Sequence, residues 1–332
     1  MFIVESYPIA IIFCFITMVC WGSWANMQKL NSTSWRFELF YWDYVIGIML
    51  FSVLLAFTAG SNGDMGRHFL DDLRQADQKN LISAFTGGVL FNLANIMLVA
   101  AIAIAGMSVA FPTGIGIALM LGVIVNYLAR PEGNPYILFT GVMLIAAAIL
   151  LNANAYKQLH KNTANFSIKG LIIAIIAGVL LGFFYKYVAV SMATNAVNPE
   201  TGKLTPYTAL VFFAIGIFTS NFIFNSFIMY RPFAGTPIKW NAWFKGSAKD
   251  HAMGIIGGVI WNIGMALNIL AAGKASPAVS YGLGQGATVI AAIWGIFIWK
   301  EFKNAERKTN IQLYIMLGLY VFGIILLITA RN

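Results

Sequence analysis

The feature that most constrains this chain is a repeated run of apolar residues. Ten stretches of about 20 residues are apolar on every face and nearly free of charge, at about 8–28, 39–59, 82–106, 108–129, 136–155, 168–194, 206–230, 252–273, 276–300 and 310–330. A helix that crosses the hydrocarbon core of a bilayer needs roughly 20 such residues. A soluble helix keeps one polar face, and these segments keep none. Strands of an outer-membrane barrel alternate over about ten residues, whereas these runs are continuous and twice that length. The chain therefore reads as an all-α polytopic membrane protein with ten transmembrane helices. Composition agrees: 59 % of the 332 residues are apolar and only 10 % are charged. Roughly 25 % charge is usual for a soluble domain. The net charge of +9 suggests no nucleic-acid partner, because the positive residues sit in short connections where membrane topology explains them.

Two connections, at Gly106-Met107 and Lys274-Ala275, are short enough to force antiparallel hairpins. Two are long, Gly60–Leu81 and Arg231–His251. The first carries Phe69, Leu70 and Leu73 among charges and reads as a short interfacial helix. The second carries Trp240 and Trp243, aromatic anchors suited to the headgroup level. Nothing basic precedes the first apolar run, and that run is too long for a signal-peptide core, so the N-terminus reads as a span rather than a leader.

The chain also repeats itself. Gly87-Gly88-Val89-Leu90-Phe91-Asn92 matches Gly257-Gly258-Val259-Ile260-Trp261-Asn262, and Gly114-x-Gly116 matches Gly282-x-Gly284. Gly22 aligns with Gly182, Gly47 with Gly216, and Gly141 with Gly318. The long connections follow the second and seventh helices. This pattern predicts two five-helix units, residues 1–156 and 157–332. Five is odd, so the second unit inserts upside down, the inverted-repeat plan of many secondary transporters. Lys and Arg at the connections and adjoining helix ends divide unequally: thirteen at the 1–2, 5–6, 7–8 and 9–10 connections, seven on the other side. The positive-inside rule places the thirteen in the cytoplasm and both termini outside it.

Inside hydrocarbon a polar group is costly unless it is paired or faces a cavity, so the buried amides and charges carry the information. Asn92 and Asn262 each lie about ten residues into their helices, near the midplane, where an alternating-access carrier holds its solute. Asn95 lies one turn after Asn92 on the same face. Gln285 is mid-helix within Gly282-x-Gly284-x-Gly286. Amides offer donors and acceptors to a small neutral polar solute, or they bridge helices. Trp24, three residues after Trp21, is either a wall that stacks a planar ring or sugar face or part of an interfacial belt. Tyr281 and Tyr185 are candidates for the opposite wall. Asp43, one turn into the second helix, with Glu38 just before it, suits proton coupling. The alternative is a helix-start carboxylate paired to Arg36 or Lys29. The two cysteines, Cys14 and Cys20, fall on different faces and read as apolar fillers. The three histidines are read as lying in separate connections with no metal-ligand spacing. No cofactor is expected, and the carrier is a monomer or homodimer.

Several stretches in chain order resemble the ureide permeases of the drug/metabolite transporter superfamily. They are Val4-Glu5-Ser6, Gly22-Ser23-Trp24, Tyr41-Trp42-Asp43-Tyr44, Gly87-Gly88-Val89, Asn126-Tyr127, Pro206-Tyr207-Thr208-Ala209, Tyr230-Arg231-Pro232 and Trp294-Gly295. Glu301, in Trp299-Lys300-Glu301 at the end of the ninth helix, fits the superfamily. The resemblance implies a secondary active, proton-coupled permease importing allantoin, uracil or related ureides and nucleobases. The glucose/ribose porter and rhamnose transporter branches look similar, which makes a sugar permease the alternative. The plant proteins carry a large central cytoplasmic loop, whereas the 5–6 connection here, Tyr156–Ser167, is short. A compact chain of this kind looks like a bacterial inner-membrane protein.

Overall fold

A computed structural model of the chain describes all residues except 33–34, 160–166, 234, 301, 304 and 332. Glu301 and His160 therefore lie outside the described residues. Ten helices among those described are long and apolar enough to cross a membrane. In chain order they are α1 (Tyr7–Lys29), α2 (Phe37–Phe57), α3 (Gln78–Ala105), α4 (Val109–Ala129), α5 (Pro135–Gln158), α6 (Ile168–Ser191), α7 (Pro206–Tyr230), α8 (Ala248–Ala275), α9 (Pro277–Ile298) and α10 (Arg307–Thr329). Each begins and ends within four residues of its expected bounds. A short helix, Phe69–Gln75, occupies the 2–3 connection as its apolar spacing predicts.

Helix starts follow local chemistry. Pro206 and Pro277 stand in the first turns of α7 and α9, where a missing N–H costs nothing. Ser247 and Asp250 close a capping box at the start of α8, satisfying two N–H groups that the helix itself leaves open.

Two expectations need correction. The second hairpin turns at Ser276 (φ 73°), not at Lys274-Ala275. Its counterpart, Gly106, turns at φ 80°. A side chain at such a backbone angle costs of order 1–3 kcal/mol, partly offset here because the Ser276 hydroxyl accepts from Val279 N at 3.3 Å. Replacing a Ser cap by Gly costs only about a few tenths of a kcal/mol. Ser276→Gly is thus expected to raise the melting temperature of the purified carrier, and a lower one would refute the strain. The second correction concerns α9, expected as one continuous helix over 276–300. It consists of a first helix Pro277–Gly284, a second helix Ala287–Ile293 and a wide turn Trp294–Ile298. At the break Gly286 N donates to Leu283 O, three residues back. This tightening is the ordinary result of glycines flanking a position in a helix.

Contacts run mainly between the two halves of the chain. α2 packs on α8, α3 on α6 and α7, α1 on α8 and α9, α4 on α6, and α5 on α10. Two glycines permit the closest crossings. A Cβ added at Gly258 would lie 1.9 Å from the Tyr44 carbonyl oxygen, and one at Gly88 would lie 2.0 Å from that of Phe213. No other residue allows backbones to meet this closely.

Candidate functional site

Three regions follow one another across the bundle. The first is a vestibule of about 720 Å³, lined among others by Asn126, Arg130, Thr194, Lys203 and Lys274. It lies at the face carrying the 6–7 connection and the end of α8.

The second region is the middle of the bundle, where the sequence-predicted amides sit. Asn92 is fully buried; its Oδ1 accepts from the Tyr41 hydroxyl at 3.0 Å and its Nδ2 donates to Ser220 Oγ at 2.9 Å. Asn95 donates to the same Tyr41 hydroxyl at 3.2 Å. Asn262, also fully buried, donates to Ser52 Oγ at 2.7 Å and to Ile48 O at 2.9 Å. Both amides thus tie α3 and α8 to helices of the other half, and each also stands next to an aromatic residue. Phe91 and Trp261 meet at 4.4 Å between ring centroids. Trp24 is half-buried against Tyr44 at 4.7 Å. Tyr281 inserts into the notch of Gly122, and its hydroxyl donates to Leu181 O at 3.0 Å and Ala118 O at 3.1 Å. Tyr185 pairs with Ser280 Oγ at 3.0 Å. Gln285 sits in the break of α9 and is half-exposed. Broken helices free backbone groups that a cavity or ligand must satisfy, which is why transporters place solute sites there. Asn262 Oδ1, Asn268 Oδ1, Asn126 Oδ1 and the Tyr44 hydroxyl are buried without a hydrogen-bond partner among the described residues. Uncharged donors and acceptors predominate, the chemistry suited to a neutral solute.

The third region closes the opposite face. Asp43 is fully buried on α2, and its Oδ1 accepts from His251 Nδ1 at 2.9 Å and from Trp243 Nε1 at 3.0 Å. Gly254, one turn after His251, leaves room for the Asp43 side chain: an added Cβ there would lie 2.3 Å from Asp43 Cβ. Trp35 and Trp243 both set ring edges against His251, at 5.1 and 4.9 Å. Glu38 pairs with Arg36, and Arg36 also donates to Thr236 O at 2.6 Å. Ser32 donates to Asp250 at 2.8 Å. These contacts stitch the 1–2 connection to the 7–8 connection and the start of α8. The pairing of Asp43 with Arg36 or Lys29, weighed from the sequence, is replaced by a pairing with His251. The sequence placed His251 in a connection, but it stands in the first turn of α8. Trp243, expected as a headgroup anchor, turns inward to the carboxylate. Nothing local marks His251, since its partner is 208 residues away. The one available signal was asymmetry: the repeat places apolar Phe212 and Leu81 opposite Asp43 and His251.

Ten spans among the described residues make this an integral multi-pass membrane protein, and the family it matches is one of permeases, transporters rather than enzymes. The profile of the ureide permease family matches residues 40–165 and 153–330, and the chain belongs to that family. Ureide permease 1 of Arabidopsis thaliana is 23 % identical over an alignment covering all of this chain and 99 % of its own. Ureide permease 2 of the same plant is 24 % identical with the same coverage. A probable ureide permease A3 of Vigna unguiculata is 24 % identical over 93 % of this chain and 100 % of its own. A solved crystal structure superposes with a TM-score of 0.63 over 97 % of both chains at 14 % identity, a likeness of fold. The two profile matches meet at 153–165, the 5–6 connection that is short here.

Proposed function

We propose that the protein imports a ureide or nucleobase, such as allantoin or uracil, by proton-coupled alternating access. The observation that carries this reading is the middle of the bundle. It offers buried uncharged amides and hydroxyls beside flat aromatic faces, the match for a planar ring edged with N–H and C=O groups. Asn92, Asn95, Asn262 and Gln285 are the proposed hydrogen-bonding residues, with Trp24 and Tyr281 as aromatic walls. The paired crossings at Gly88 and Gly258 support two inverted five-helix units, residues 1–156 and 157–332, that rock against each other. Asp43, held by His251, is the proposed proton-bearing group, and Glu38 acts beside it through its pairing with Arg36. The vestibule faces the outside if the thirteen positive residues lie in the cytoplasm, and a C-terminal reporter active only outside the cytoplasm supports that orientation.

The test is uptake into proteoliposomes of allantoin, uracil, xanthine, ribose, glucose and rhamnose. The expected result is uptake of a ring-shaped ureide or nucleobase, and uptake confined to sugars overturns the reading. Leaving a buried partner unsatisfied costs about 1–3 kcal/mol, and each 1.4 kcal/mol is about tenfold in affinity. Asn92→Leu and Asn262→Leu are accordingly expected to reduce uptake about fivefold or more at equal membrane abundance. Unchanged uptake removes both amides from the site.

A further inference from the structure

The rings at the middle of the bundle follow a two-fold plan with a chemical asymmetry. Under the alignment of the two halves, Trp24, Tyr44 and Trp261 correspond to Phe184, Phe213 and Phe91. Two contacts of each set correspond as well, and the phenyl set has a third, Phe91 with Phe184 at 5.3 Å. Trp24 meets Tyr44 at 4.7 Å and Phe184 meets Phe213 at 5.9 Å. Tyr44 meets Trp261 at 6.4 Å and Phe213 meets Phe91 at 5.7 Å. Phe91 and Trp261 join the two sets. At all three positions the ring held by α1, α2 or α8 carries a polar atom, and its counterpart on α6, α7 or α3 is a bare phenyl.

Packing does not call for those polar atoms, because phenyl rings fill the equivalent places. The Tyr44 hydroxyl makes the point most sharply. It is fully buried and has no hydrogen-bond partner among the described residues. A buried hydroxyl left unsatisfied is a net cost to the fold. Asn262 adds a second unsatisfied group beside Trp261: its Nδ2 is spent on Ser52 and Ile48, while its Oδ1 accepts nothing. Trp24, half-buried, is the one ring of the polar set that is not fully covered by its neighbours.

We propose that Trp24, Tyr44 and Trp261, with Asn262 Oδ1, form the orienting subsite of the carrier, and that Phe91, Phe184 and Phe213 supply apolar cover only. The occupant is a flat uncharged ring that stacks on Trp24. One of its ring N–H groups donates to Asn262 Oδ1, and a neighbouring C=O accepts from the Tyr44 hydroxyl. The inference rests on the ureide or nucleobase reading and assigns the residues that choose the ring's orientation.

The experiment measures binding of allantoin, uracil and 1,3-dimethyluracil to the full-length carrier in lipid nanodiscs, for the unaltered protein and Tyr44→Phe. Dimethyluracil keeps the ring and carbonyls but has no N–H to donate. Dimethyluracil, which has nothing to donate to Asn262 Oδ1, is expected to bind the unaltered carrier about tenfold more weakly than uracil, and Tyr44→Phe is expected to weaken all three ligands about tenfold and keep or raise the ligand-free melting temperature. Trp24→Phe, which keeps a ring and drops the indole, is expected to weaken all three. Uracil binding that is unchanged in Tyr44→Phe overturns the subsite while leaving the ureide reading intact. An unaltered carrier that binds none of the three ring probes overturns both.

Discussion

Asp43→Asn is expected to take up solute at a rate indifferent to a protonophore, with accumulation driven by a pH gradient reduced at least about tenfold, the equivalent of 1.4 kcal/mol. The carboxylate is fully buried, held by a histidine and an indole, and has its second oxygen unpartnered. A proton on this carboxylate neutralises it, and without the proton a buried charge is held by the two N–H donors. Asparagine keeps the shape and one acceptor but takes up no proton, so the proposed proton-bearing group is lost. Removing one member of a buried pair is also costly in itself, about 3–5 kcal/mol. The measurement therefore compares downhill exchange, which needs no proton, with gradient-driven uptake. Lost accumulation with retained exchange supports coupling. Accumulation that stays intact and protonophore-sensitive removes Asp43 from it. Asp250 is engaged elsewhere, with Ser247 and Ser32.

How far the sequence carries depends on the range of each interaction. Span positions are legible because hydrocarbon imposes one requirement on some 20 neighbouring residues at once. The central amides are legible because a polar residue stands out in such a run and recurs in the second half. Asp43 stood out for the same reason. Its partner did not, because His251 lies at a helix start where polar residues are unremarkable, and only the approach of α8 to α2 makes it a partner. Tyr44 and Trp261 are hidden differently. Aromatic residues are common in membrane helices, and their significance appears only when six rings are seen to touch in two sets that share two corresponding contacts. The break in α9 was not read from the sequence: three alternating glycines permit a bend, but whether neighbouring helices hold the segment straight is decided by packing.

Gly258→Val and Gly88→Val test the architecture itself, and their effects are expected to be large and alike. At each position the obstacle to a side chain is a backbone oxygen, of Tyr44 in one case and Phe213 in the other. A flexible side chain moves aside cheaply, but a carbonyl bonded within a helix does not, so the two helices must part along their length. Overpacking a core costs about 1–3 kcal/mol and more where nothing yields, against a total stability of about 5–15 kcal/mol. Parting α8 from α2 also draws Asn262 from Ser52 and His251 from Asp43; parting α3 from α7 draws Asn92 from Ser220. Both variants are expected to lose most of the monodisperse carrier in fluorescence-detected size-exclusion chromatography. Gly116→Val, where an added Cβ meets open space, is expected to retain it. Substantial loss for one crossing and not the other counts against the equivalence of the halves. Equal loss supports it, because the α3–α7 and α2–α8 crossings then act as the same joint built twice, one in each orientation.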